Sequence, residues 1–263
     1  MTRARHAMKL AQASLWASAQ AQSMHGIDGI WYASYAPGVA REIDPSRYRS
    51  LVHFFDESVA RYRHQVAFAS LGSELTFDAL DQKAHAFASY LQEIGVQHGD
   101  HVALMMPNTL AYPVPLFGAL IAGAIVLNVN PLLYTVRELA HQLKDCGAQT
   151  IVMLDLFAKT LEDALPGSRV KHVVVTSLGD LLAGGFNVKG RTLNLFVRHV
   201  KKQVPGFALP EAMTLRQAIA RGAKRKLETI CMGHGDIAFI QYTGGTISCR
   251  KARCSRIATS SPT

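Results

Sequence analysis

The sequence predicts an α/β fold, a doubly wound and largely parallel sheet with flanking helices. Three observations predict it. Apolar runs of five or six residues recur between positions 102 and 176, and such runs are typical of strands buried on both faces. Stretches with the spacing of amphipathic helices lie between these runs. The chain has 263 residues, enough for a sizeable core, and no internal repeat is visible.

The first predicted helix covers Thr76–Ile94, and Gly95 closes it. A short apolar run, Val102–Met106, follows and is ended by Pro107, so it is predicted to be a buried strand. The apolar residues of the helix recur every three or four positions: Phe77, Leu80, Ala84, Phe87, Ala88 and Leu91.

A second helix is predicted over Tyr112–Ala122 and a second strand over Ala124–Val129. With the first strand they form a βαβ unit, which requires a right-handed crossover and parallel strands. The uninterrupted apolar part of this region, Val114–Leu127, has 14 residues, whereas a membrane-spanning helix needs about 20. We therefore predict a buried helix and strand here.

A capping box marks the next helix, because Thr135 stands three residues before Glu138. This helix is predicted to end at Cys146, just before Gly147. Further elements are predicted in the order strand, helix, strand: Thr150–Leu154, Leu156–Leu165 and His172–Thr176.

The net charge of +9 suggests a nucleic-acid binder at first sight, but its distribution argues against one. Residues 1–27 hold three basic residues and no acid, and residues 250–263 hold four basic residues and no acid. These two ends carry seven of the nine charges, so the body of the chain is close to neutral. We expect no nucleic-acid partner.

The four cysteines, Cys146, Cys231, Cys249 and Cys254, form no CxxC pair. No histidine lies at zinc-finger spacing from them, so a structural metal site is not expected. Free thiols are typical of a reducing compartment, and this favours a cytoplasmic location.

Two segments raise the question of targeting or membrane contact. Residues 1–23 are basic and acid-free and resemble a weak signal or transit peptide, although a start codon at Met24 is the interpretation we prefer. Residues 191–204 contain an apolar stripe with basic residues beside it, which suits a basic amphipathic helix on a membrane surface or a helix packed on its own domain. Composition alone favours the packed helix.

The segment with the clearest chemistry is an apolar strand from Asp236 that runs into Tyr242-Thr243-Gly244-Gly245-Thr246. Glycines allow the backbone to approach an anion closely, and successive N–H groups and hydroxyls can hold phosphate oxygens. The segment is not a Walker A loop, since G-x-x-x-x-G-K-[ST] is absent. On its own, a strand that ends in a glycine turn is more often only a turn.

Several motifs together resemble the adenylate-forming (AMP-binding) enzymes, and among them the bacterial long-chain fatty acid–CoA ligases. Tyr242–Thr246 resembles the start of their phosphate loop, Gly99–Ala103 their G-D-x-V-A motif, and Asn128–Leu139 their N-V-N-P-L-Y-T-P-R-E-L motif. The last match has an additional Leu133 and a valine, Val136, in place of the proline. The resemblance covers Ile30 to Thr246, less than half of a full-length member.

The resemblance implies the incomplete N-terminal domain of the acyl-CoA synthetase fold. It also implies activation of a long-chain fatty acid with ATP, Mg²⁺ and coenzyme A, through an acyl-adenylate. The phosphate-binding residues it implies are Tyr242, Thr243, Gly244, Gly245 and Thr246. No catalytic residue and no metal ligand can be carried over. Family members work at the inner membrane face, which favours peripheral contact through residues 191–204.

The resemblance stops after Thr246. When allowed codons for residues 248–263 are read from the third base onward, they can yield V-P-K-G-A-M-L-T-H-R-N-I-V-A-N, similar to the family's continuation. We therefore hypothesise a frameshift near Ile247, which sequencing of the gene around that codon tests. The expected organisation is an atypical extension over residues 1–27, a partial AMP-binding domain over 28–246 and a disordered tail over 247–263.

Overall fold

The computed structural model describes residues 32, 34–39, 44–131, 135–181, 192, 194, 206–209 and 211–243, and the backbone of residues 251–256. The chain divides into two compact units, Met1–Pro45 and Ser46–Thr263. In the first unit, the rings of Tyr32 and Tyr35 pack edge to face at 5.4 Å. Among the described residues, all the α-helices and β-strands belong to the second unit.

The second unit contains six α-helices and nine strands among its described residues. In chain order they are α1 (Leu51–Tyr62), β1 (Val66–Ser70), β2 (Ser73–Thr76), α2 (Phe77–Glu93), β3 (His101–Met105), α3 (Pro113–Ile121), β4 (Ile125–Asn128), α4 (Val136–Cys146), β5 (Thr150–Leu154), α5 (Ala158–Ala164), β6 (His172–Thr176), β7 (Met213–Thr214), α6 (Leu215–Gly222), β8 (Ile237–Thr243) and β9 (Lys251–Arg256).

The main sheet has seven strands in the order β7-β6-β5-β3-β4-β8-β9. All neighbouring pairs are parallel except β8–β9, which is antiparallel. Strands β1 and β2 form a separate antiparallel hairpin. The predicted doubly wound, largely parallel α/β sheet is therefore confirmed.

Helices cover both faces of the main sheet. The first face packs against α1, α2, α3 and α6, and the second against α4 and α5. Along β3, Val102 and Leu104 belong to the first core, whereas Ala103 and Met105 belong to the second. Because alternate residues of one strand serve two cores, the strand is apolar throughout, which is the pattern that predicted it.

Helix α2 lies at the centre of the first layer, and close contacts hold it. A Cβ atom at Gly222 of α6 would lie 1.8 Å from the Ala86 carbonyl oxygen, and one at Gly118 of α3 would lie 2.8 Å from Phe87 Cδ1. Two neighbouring helices therefore approach α2 at positions where only glycine fits.

The predicted helix boundaries follow from their caps. Thr76 accepts the Ala79 N–H at 3.2 Å and begins α2. At α4, Glu138 accepts the Thr135 N–H at 2.9 Å, and Thr135 Oγ1 accepts the Glu138 N–H at 3.3 Å, so the capping box is confirmed. Gly147 ends α4 with a φ of 63°.

Some elements were not predicted from the sequence. Helix α1 and the β1–β2 hairpin precede the first predicted helix, and β7 and α6 lie in a region that lacked a regular pattern. The sequence did contain a signal for the start of α6, because Thr214 and Gln217 form a second capping box. The region 191–204 lies outside the described residues, apart from Thr192 and Asn194.

Part of the chain after the predicted phosphate-binding residues belongs to the main sheet. The backbone of residues 251–256 forms β9, which pairs with β8 from Thr243 opposite Lys251 to Ile237 opposite Arg256. The disordered tail expected over residues 247–263 stays a prediction. Residues 244–250 and 257–263 lie outside the described part of the chain, and the boundary at residue 27 stays a prediction.

Candidate functional site

The sheet topology indicates where a ligand site would form. Strand β3 continues into α3 on the first face, whereas its neighbour β4 continues into α4 on the second face. The loops that leave the two strands therefore separate at their carboxyl ends. In open α/β sheets this switch point is the usual place of a ligand-binding crevice.

A crevice of about 360 Å³ lies at this point, between the ends of β3 and β4. Its walls combine apolar side chains with amides and one phenol. The lining residues are Leu104, Met106, Pro107, Asn108, Tyr112, Asn128, Val129, Asn130, Pro131 and Gln241.

The polar groups of the crevice come from three neighbouring elements. The Tyr112 hydroxyl donates to Asn128 Oδ1 at 2.8 Å, which joins the start of α3 to the end of β4. Asn128 lies opposite Gln241 in the β4–β8 register. Burial raises the pKa of the Tyr112 hydroxyl, and the bond to Asn128 opposes this only in part. Tyr112 is therefore a neutral hydrogen-bond donor at physiological pH.

The start of α3 does not offer the usual anion site of a helix N-terminus. Pro113 and Pro115 lack backbone N–H groups, and Leu116 N–H already bonds the Tyr112 carbonyl at 3.2 Å. Val114 supplies the one backbone donor among the first three residues of the helix. Since the residues that line the crevice include no cation, the crevice suits an uncharged, hydrogen-bonding group.

The predicted phosphate-binding residues begin beside this crevice. Strand β8 carries Tyr242 and Thr243 to the carboxyl edge of the sheet, directly after Gln241. The Tyr242 hydroxyl donates to Asp145 Oδ2 of α4 at 2.5 Å. Gly244, Gly245 and Thr246 lie outside the described residues, as does the side chain of Thr243.

Sequence analysis placed Asn128 and Asn130 in a family motif but did not predict that they, or the other polar residues of the crevice, line a site. Asn108 and Asn128 follow or end predicted strands, and Gln241 directly precedes the predicted loop residues. Polar residues at the carboxyl ends of adjacent parallel strands were therefore the available indication. Tyr112 carried no such indication, because its role depends on how α3 is placed.

A second polar cluster lies at the carboxyl ends of β5 and β6. Ser177 Oγ donates to the buried Asp155 at 2.6 Å, and Asp180 accepts the Thr176 hydroxyl at 3.1 Å. Asn194 Nδ2 donates to Asp180 Oδ1 at 3.0 Å, and Asn194 Oδ1 accepts the Gly179 N–H at 2.6 Å. These bonds anchor the chain near residue 194 to the end of β6.

Two further properties concern the described part of the chain only. It contains no group of three or more His, Cys, Asp or Glu side chains placed to hold a metal ion. None of its helices combines the length and apolar character that crossing a bilayer requires.

Comparison with protein families gives a match to the AMP-binding enzyme model over residues 55–252. Long-chain-fatty-acid–CoA ligases from Escherichia coli O6:H1 and Haemophilus influenzae are 47% and 44% identical to the chain over 223 and 226 residues. These matches cover 84% and 86% of the chain but 39% and 40% of the relatives. The chain thus spans about two fifths of their length.

Solved structures show the same fold. An anthranilate CoA ligase in complex with anthranoyl-AMP has a TM-score of 0.65 at 18% identity, over 82% of this chain and 36% of that one. A long-chain-fatty-acid-CoA ligase from Archaeoglobus fulgidus has a TM-score of 0.59 at 22% identity, over 80% and 37%. In both, the similarity covers only part of the larger protein.

Proposed function

Since the chain belongs to the AMP-binding enzyme family, we propose that it provides the front part of a long-chain fatty acid–CoA ligase. The observation that carries this proposal is the 47% identity over 223 residues to a ligase of that name. The geometry supports it, because β8 brings Tyr242 and Thr243 to the carboxyl edge of the sheet, directly after Gln241 of the crevice at the switch point.

The proposed reaction has two steps. The fatty acid carboxylate attacks the α-phosphate of ATP and releases pyrophosphate, and the thiol of coenzyme A then displaces AMP from the acyl-adenylate. Mg²⁺ would neutralise charge on the phosphates. The described residues do not offer a cluster that fits Mg²⁺.

In this proposal Tyr242, Thr243, Gly244, Gly245 and Thr246 form the phosphate-binding segment, with unequal roles. Backbone N–H groups and the two threonine hydroxyls donate to phosphate oxygens. Tyr242 directs its hydroxyl to Asp145 instead, so its contribution is to fix the end of β8. The crevice lined by Tyr112 and Asn128 carries no cation and receives an uncharged part of a substrate.

Pyrophosphate is the direct probe of this site. We expect it to shift the backbone amide signals of Thr243 and Gly244 in NMR spectra of the full chain, and Thr246→Val to weaken the effect. Thr214→Val, which changes a threonine of the α6 cap, serves as the control. Spectra unchanged by millimolar pyrophosphate would exclude a phosphate site.

We propose that this chain alone does not catalyse the ligase reaction. The family residues that bind adenine, ribose and magnesium, and the family's catalytic lysine, have no counterpart in its matching stretches. Pyrophosphate release from ATP with palmitate and coenzyme A should stay at background. Robust turnover would contradict this. The expected location of such a protein is the cytoplasm.

The alternative is a non-catalytic, peripheral membrane-binding remnant that uses residues 191–204. It rests on the apolar stripe and the basic residues of that segment. The bonds of Asn194 to Gly179 and Asp180 tie one end of the segment to the carboxyl edge of the sheet, and they favour the competing packed helix. Co-sedimentation with anionic vesicles, lost when Arg198, Lys201 and Lys202 are changed to Glu, would support this function. Binding unchanged by these substitutions would reject it.

A further inference from the structure

The connector from α6 to β8 has to cross most of the main sheet. Strand β7, which leads into α6, lies at one edge, and four strands separate it from β8. Residues 223–236 make this crossing, and we call them the strap. The structure describes all of them, and they form neither a helix nor a strand. Contacts with other elements therefore have to hold the strap in place.

The first of these contacts is ionic and lies at the end of α2. Glu93 is the last residue of α2, and its side chain is only 12% exposed. Its carboxylate accepts two hydrogen bonds from Arg221 of α6, both at 3.0 Å, and one from Arg225 of the strap at 2.7 Å. Hydrogen bonds between charged groups are stronger than neutral ones. One carboxylate thus joins α2 to both α6 and the strap.

The second contact is neutral and fixes the position of the strap along α2. Gln92 Nε2 donates to the Glu228 carbonyl at 2.9 Å, and Gln92 Oε1 accepts the Glu228 N–H at 2.9 Å. The side-chain amide therefore pairs with the strap backbone as a neighbouring strand would. Further along, Ile230 packs on the turn before β4, where a Cβ atom at Gly123 would lie 2.8 Å from Ile230 Cγ2.

The strap is held again where β8 begins. Asp236 directly precedes β8, and its carboxylate lies 3.3 Å from His98 Nε2 and accepts the Gly233 N–H at 2.7 Å. His234 Nε2 donates to the Tyr48 carbonyl at 2.7 Å. The path from α2 to the first residue of β8 is therefore fixed at several points.

We propose that Gln92 and Glu93 are positioning residues, which fasten the strap and thereby hold β8 in register on β4. The parallel ladder between β4 and β8 has only three residue pairs. A slip of β8 by one residue would turn its side chains to the opposite face of the sheet and take Tyr242 away from Asp145. Only the consequence for phosphate binding rests on the proposed function.

Native-state hydrogen exchange of the full chain tests the proposal. If the strap holds β8, the two open together in a unit smaller than the whole domain. The opening constants of the Glu228 amide and of the β8 amides should therefore agree and depend weakly on urea. Those of β5, which is buried at every position, should be smaller and depend strongly on urea. A β8 that opens only together with β5, while Glu228 opens alone, would overturn the proposal.

Substitutions at the two fastening residues test their role directly. Gln92→Leu and Glu93→Gln should each raise the shared opening constant of Glu228 and β8 about threefold, the size expected for partly exposed polar contacts. Asp163→Asn is the matched control, because it removes a carboxylate that pairs at 3.0 Å with Lys159 of the same helix, away from the strap. Equal effects of all three substitutions on β8 would contradict the positioning role.

Pyrophosphate separates this inference from the proposed function. A ligand that binds only when β8 is in register should lower the opening constant of β8. If pyrophosphate shifts the Thr243 amide signal but leaves β8 opening unchanged, the link between the strap and phosphate binding is wrong. If it changes neither, the phosphate site fails, whereas exchange without ligand still decides whether the strap holds β8.

Discussion

The Tyr242 hydroxyl lies 2.5 Å from Asp145 Oδ2 and joins two segments that are 97 positions apart in the sequence. Tyr242 is the penultimate residue of β8, and Asp145 belongs to the last turn of α4. The bond therefore ties the entrance of the proposed phosphate loop to the helix layer on the second face. It fixes the loop at one end without occupying a donor that a phosphate would need.

Tyr242→Phe should lower the free energy of unfolding by about 1 kcal/mol, the usual net value of one hydrogen bond. Asp145→Asn should cost a similar amount or less, since an amide oxygen can still accept. Urea denaturation measures both. Tyr62→Phe, at an exposed ring on α1, is the control and should change little. Equal effects at Tyr62 and Tyr242 would mean that the Asp145 bond contributes nothing.

Gly222→Ala should destabilise the domain by about 2–3 kcal/mol, because the new Cβ would meet the Ala86 carbonyl oxygen at 1.8 Å. The backbone of α6 would have to move away from α2. Gly235→Ala is the matched control, since nothing lies within 4 Å of its Cβ position. Thermal unfolding of the two variants should separate them clearly; similar melting temperatures would contradict the close helix contact.

The turn between β1 and β2 stores backbone strain that a substitution can relieve. Leu71 and Gly72 both have positive φ, of 51° and 67°, and Leu71 is 65% exposed. Leu71→Asn should stabilise the domain by about 1 kcal/mol, because asparagine tolerates the left-handed region. Leu71→Val should do the opposite, since branching at Cβ increases the strain. Chemical denaturation of both variants checks the sign.

Two buried threonines at strand ends offer a paired test of hydrogen-bond satisfaction. Thr150 and Thr176 are each 1% exposed. Thr176 donates to Asp180, whereas within the described residues Thr150 Oγ1 has no hydrogen-bond partner. Thr150→Val should therefore be neutral or stabilising, and Thr176→Val should cost about 1 kcal/mol. If Thr150→Val lowered the free energy of unfolding more than Thr176→Val, the Thr150 hydroxyl would have to bond a partner, such as an ordered water.

The strands of the doubly wound sheet could be predicted from the sequence because burial on both faces leaves a simple pattern. Thr150–Leu154 is buried at every position, and its apolar run marks it directly. Strand β1 is exposed or half-buried throughout, so it carries no such pattern. Helix α1 buries only Phe55 and Val59, too few residues to give a clear period.

The candidate site was predictable in part, for a related reason. The glycine segment after β8 is a local pattern and can be found without knowledge of the fold. The crevice depends on Tyr112, Asn128 and Gln241, which come together only because β4 lies between β3 and β8. The order of the strands in the sheet cannot be predicted from any one segment of the sequence. Residues that come together because of that order can therefore be identified only when the topology is known.

The neighbour relationship between β4 and β8 has a consequence for biosynthesis. Val126 pairs with Phe239, more than one hundred residues later in the chain. During translation, β3 to β6 can assemble before β8 is available to pair with the outer edge of β4. Open strand edges promote association between chains, and non-local pairing is slow. The nascent protein is therefore most in need of chaperone protection in the interval before residue 243 leaves the ribosome.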